Sequence, residues 1–131
     1  MRRASAFIEE AYQDTLSLMT ELRDYLTETQ TEEDRSAEAR THIIGEISSI
    51  TRHMTEAMAW LLLQKAAAAS EITDEEARTR ADGLLEPMAG GPIANAENAA
   101  LPIELGGYMD RSRRLYDQII KLREMADKST D

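Results

Sequence analysis

The residues of this 131-residue chain that bear on chemistry are two histidines, one arginine cluster and two glycine pairs, with no cysteine. His42 and His53 lie eleven residues apart, a spacing that returns them to one helix face but leaves them roughly 16 Å apart, too far to share a metal ion. A carboxylate-bridged di-iron bundle needs Glu-x-x-His on two helices, and the residues three before the histidines are Ala39 and Ile50. The lack of cysteine excludes thiolate zinc sites, disulfides and thiol nucleophiles. No Gly-x-Ser-x-Gly elbow occurs, and neither Gly90-Gly91 nor Gly106-Gly107 leads into the Lys-Ser or Lys-Thr of a phosphate-binding loop. The expectation is a protein with no catalytic centre, metal or cofactor. An enzyme built on a buried carboxylate pair is the one catalytic alternative, because tertiary proximity leaves no trace in spacing.

Binding chemistry is better represented. Arg111, Arg113 and Arg114 form the basic cluster beside Tyr108, and arginine and tyrosine are side-chain types that often dominate interface energy. The plain alternative is pairing with the chain's own carboxylates. Met88 and Ile93 lie with Leu101 and Ile103 in a stretch rich in proline and glycine, where apolar residues either dock on the body of the protein or await a partner. The acidic run from Glu71 to Glu86 reads as a solvated face or as a docking surface for a basic partner.

These residues need helices to position them. The chain has 19 alanines, seven methionines and no valine, a composition that favours helix over strand. Ile8, Tyr12, Thr15, Met19, Leu22 and Leu26 recur at steps of three and four, and Ile43, Ile47, Ile50, Met54, Ala57 and Leu61 do the same, widened by Ile44, Met58 and Leu62. Leu105, Tyr108, Met109, Ser112, Leu115, Tyr116, Ile119, Leu122 and Ala126 make a third stripe. The spacing predicts long helices over 4–28, 36–69 and 105–128, and Thr73 with Glu76 is a capping box that should open a short helix over 74–85. The expected fold is all-α, a single-domain antiparallel three-helix bundle with one additional short helix and a long loop before the last helix. Trp60 to Leu63 is apolar all round, so that turn should be covered on more than one side, by the bundle and by the short helix or a second subunit, with Trp60 and Leu63 as the contacts.

Residues 46–87, EISSITRHMTEAMAWLLLQKAAAASEITDEEARTRADGLLEP, and 108–122, YMDRSRRLYDQIIKL, resemble the signature and closing helices of the bacterial RcdA-like family, the regulators of CtrA degradation. The most specific part is Trp60-Leu61-Leu62-Leu63-Gln64-Lys65 followed by Glu71-Ile72-Thr73. The resemblance implies a dimeric three-helix bundle that acts as a non-enzymatic adaptor in cell-cycle proteolysis by the ClpXP protease. Ser70 stands where that family usually has glycine, and the long C-terminal extension of its best-known member is not present.

The expected function is a protein-interaction module, with ClpXP pathway components and a protease substrate as partners and a homodimer as its assembly; the alternative is a structural dimerisation protein with no proteolytic client. Partner contact is expected at Tyr108, Arg111, Arg114, Met88 and Ile93. A net charge of −10 repels phosphate backbones and anionic lipid, so neither nucleic acid nor a membrane is an expected partner. Lacking an apolar run of membrane-spanning length or an export signal, the chain reads as cytoplasmic.

Overall fold

The computed structural model describes residues 2–30, 36–85 and 102–129. The described residues are mostly helical and contain no strand: α1 spans Arg2–Gln30, α2 Ala37–Ala68, α3 Asp74–Arg80 and α4 Ile103–Ser129. One hydrophobic cluster joins α1, α2 and α4 and takes in Leu85 from the turn after α3.

The ends of these helices follow from local chemistry. Ser36 caps α2 by accepting the Ala39 amide at 3.1 Å. At its far end the Glu71 amide donates to the Ala66 carbonyl and the Ser70 amide to that of Ala67, the paired bonds of a Schellman cap, with Ser70 itself at φ 61°. That left-handed position suits glycine and costs an L residue about 1–2 kcal/mol. Ser70→Gly is therefore expected to raise stability by about 1 kcal/mol, read as a higher urea midpoint with an unchanged slope. The Thr73–Glu76 capping box forms as the spacing predicts, with the Glu76 amide donating to Thr73 Oγ1 at 3.0 Å.

α3 is shorter than the predicted 74–85. It stops at Arg80, and residues 81–85 form a turn in which Gly83 and Leu85 take φ 88° and 59°. Positive φ cannot continue a right-handed helix, and the turn inserts Leu85 into the core, fully buried. Arg123 of α4 closes it by donating to the carbonyls of Leu84 and Leu85 at 3.4 and 3.2 Å.

Two long-range ion pairs tie α1 to its neighbours. Lys65, near the end of α2, meets Glu9, near the start of α1, at 2.8 Å and lies 3.9 Å over the Tyr12 ring. Arg111, near the start of α4, meets Glu21 in the second half of α1. α1 is thus tied to both α2 and α4. Leu85 sits at the Arg123 end of α4, and Pro102 precedes its other end, about 30 Å away along the helix.

Candidate functional site

The first turns of α4 hold the arginine cluster against α1. Arg111 donates two parallel hydrogen bonds to Glu21, Nη1 to Oε1 at 3.0 Å and Nη2 to Oε2 at 2.9 Å, the bidentate fork for which guanidinium and carboxylate are matched. The Tyr108 ring lies beside it, 5.9 Å from the Arg111 guanidinium carbon and 5.4 Å from the centroid of Tyr25. Tyr108 is half-buried, and that burial, followed by the nearby Glu21 charge, pushes its hydroxyl pKa up. Glu21 is held below the usual carboxylate range by its hydrogen bond from Arg111, against a smaller opposing effect of burial.

Below this pair, α1 and α4 enclose a groove of about 280 Å³ lined by Asp14, Ser17 and Leu18 on one side and Arg111, Arg114, Leu115 and Gln118 on the other. Leu18 and Leu115 are buried and make an apolar floor, while Arg114 is exposed on the rim. Arg111 is committed to Glu21, so Arg114 is the guanidinium that an incoming carboxylate meets first. The groove has the volume of a side chain and offers apolar contact at Leu18 and Leu115 and charge-assisted hydrogen bonds at its edge.

Of the residues proposed for partner contact, Tyr108, Arg111 and Arg114 are thus brought together, whereas Met88 and Ile93 lie outside the described residues. Trp60 is buried, 2% exposed, in the core cluster of a single chain, and Leu63 is half-buried. It is Leu62, 47% exposed, that this turn leaves uncovered. The spacing gave no notice of Glu21, Asp14 or Ser17 as neighbours of the arginines, because they lie some ninety residues away and read as ordinary solvated positions.

The histidines take unlike positions. His42 is exposed; His53 is buried, donating from Nδ1 to the Ser49 carbonyl at 2.8 Å and meeting Tyr116 edge-on with centroids 5.7 Å apart. Among the described residues no group of three or more His, Asp and Glu side chains could hold a metal ion, and no helix is long and apolar enough to cross a membrane.

Glu46, four residues beyond His42 on α2, has a buried Oε2 without a hydrogen-bond partner. Burial pushes its pKa up, partly offset by His42. A carboxyl whose folded pKa is raised is favoured by the fold when protonated, so its contribution to stability falls as pH rises through that value. Glu46→Gln should accordingly raise the melting temperature at pH 7 by a margin that shrinks toward pH 4, measured by calorimetry.

A family model described as "Protein of unknown function (DUF1465)" matches residues 2–131. The chain belongs to the DUF1465 family. No curated protein and no solved structure matches it. For this DUF1465 member the groove between α1 and α4 is the candidate site on which a functional reading rests.

Proposed function

We propose that this protein is a non-enzymatic interaction module of the RcdA-like kind, an adaptor that brings a client protein to a ClpXP-type protease. Its long helices are read as an antiparallel three-helix bundle in which α1 is shared between α2 and α4, with α3 closing one end. The observation that carries this reading is the groove between α1 and α4. A bidentate Arg111–Glu21 pair holds one wall in place, and Arg114, exposed and without an ion-pair partner among the described residues, stands on the rim above the buried Leu18 and Leu115. Such a surface can recruit a partner by complementarity of charge and apolar contact. The preferred partner segment is acidic with an apolar anchor, since the exposed guanidinium complements a carboxylate. The net charge of −10 argues against nucleic acid in that place.

Affinity capture of the full chain from a native bacterial lysate, read by mass spectrometry, tests the assignment. Protease subunits together with a shared substrate are the expected company. Recovery of the protein alone, with turnover of a small molecule in an activity screen, would replace the adaptor with an enzyme.

A further inference from the structure

Beyond the Arg111–Glu21 fork, the groove between α1 and α4 presents four polar side chains that the fold does not use. Asp14 and Ser17 stand on the α1 wall, Arg114 and Gln118 on the α4 wall. All four are exposed, and none makes a hydrogen bond or salt bridge among the described residues. Their neighbours are engaged: Gln13 donates to Glu9 at 3.1 Å, Glu9 meets Lys65, and Glu21 meets Arg111. A guanidinium and a carboxylate that line one groove without pairing to each other leave room for a group that pairs with both.

Size and charge narrow what fits. At about 280 Å³ the groove falls below the roughly 300–1,000 Å³ of sites that enclose a whole small molecule, so it takes one residue of a longer chain. An internal Asp or Glu satisfies Arg114 but brings neither an apolar group to Leu18 and Leu115 nor a donor to Asp14. A run of such residues also meets the repulsion of Asp14 and of a net charge of −10. An internal Lys or Arg suits Asp14 but sets its charge against Arg114. A C-terminal residue answers all of these demands, because one Cα carries the carboxylate, the backbone N–H and the side chain together.

We propose that the groove captures the C-terminus of a partner polypeptide that ends in an aliphatic residue. The terminal carboxylate accepts the Arg114 guanidinium, the terminal N–H donates to Asp14, and the side chain lies over Leu18 and Leu115. Ser17 and Gln118 are placed to bond the peptide group that precedes it. The proposal rests on the reading of this groove as the partner site, and it narrows the acidic group of that partner to a single terminal carboxylate.

Fluorescence anisotropy with the full chain tests it, using a hexapeptide of glycine and serine that ends in leucine and carries fluorescein at its N-terminus. The free acid should bind about tenfold or more tighter than the same peptide with a C-terminal amide, and tighter than an amidated peptide with an internal glutamate. Arg114→Glu should remove binding, Arg114→Lys should weaken it several-fold because an ammonium cannot reproduce the fork, and Lys121→Gln should leave it intact. Asp14→Lys should erase the preference for the free acid over the internal glutamate. Circular dichroism should be unchanged throughout, since these side chains are exposed and unpaired. If both carboxylate peptides bound equally and both were lost with Arg114→Glu, the terminus assignment would fail while the groove stood as the partner site. If no peptide bound up to about 1 mM protein, the proposal would be overturned, and lysate capture indifferent to Arg114→Glu would remove the groove itself. Displacement of the free acid by equimolar leucine would overturn the choice of a polypeptide and make the ligand a free amino acid.

Discussion

Replacing Leu61 by alanine is expected to lower the free energy of unfolding by about 2–5 kcal/mol, while the same change one residue on, at Leu62, costs under about 1 kcal/mol. The two side chains are identical and adjacent, so the contrast isolates burial. Leu61 is fully enclosed in the cluster built by α1, α2 and α4, and its truncation removes apolar contacts and leaves a cavity that helices tied at both ends cannot close. Leu62 projects into solvent from the next helical position and loses little. Urea unfolding measures both. Equal costs would mean that α2 is rotated about its axis relative to the arrangement described.

The second large effect concerns binding. Exchanging Arg111 and Arg114 for glutamate is expected to weaken client capture by roughly tenfold or more, with melting temperature nearly unchanged. The two residues contribute differently. Arg114 is exposed and presents its charge to a partner, so its reversal acts on binding alone. Arg111 faces Glu21, so its reversal sets two carboxylates against each other at a half-exposed site, where solvent screening keeps the stability cost within about 1 kcal/mol. Arg114→Glu alone should then account for most of the lost capture. Undiminished capture by the double variant would move the interface to the acidic surface around α3.

Much of the fold is legible in the sequence because helix packing imposes a short period on it. Every position from Ile43 to Leu61 placed at the centre of the α2 stripe is buried, and so are Leu105, Met109, Ser112, Leu115, Tyr116, Ile119 and Leu122 on α4, whose stripe members Tyr108 and Ala126 are half-buried. The polar members of these stripes fit because Thr15 and Ser112 return their hydroxyls to their own helices, at 2.7 and 2.8 Å. What periodicity does not report is how a stripe is shared among neighbours. On α1 the buried set is Ile8, Ala11, Thr15, Leu18, Leu22 and Tyr25, with Tyr12, Met19 and Leu26 only half-buried, because that helix turns toward two partners at once. On α2 burial widens toward His53 and Trp60, and the apolar residues on the other flank are left outside. The candidate site was legible only in its basic half. Arg111, Arg114 and Tyr108 are close in sequence, but the Glu21 that fixes Arg111 is supplied by a different helix, and local patterns carry no record of tertiary pairing.

The adaptor reading is tested most directly by reconstituted degradation of a captured client with and without this protein. An adaptor acts by raising the local concentration of client at the protease, so its addition should lower KM while leaving kcat unchanged, and Arg114→Glu should abolish that gain. A degradation rate at sub-saturating client that does not respond to this protein would contradict the account.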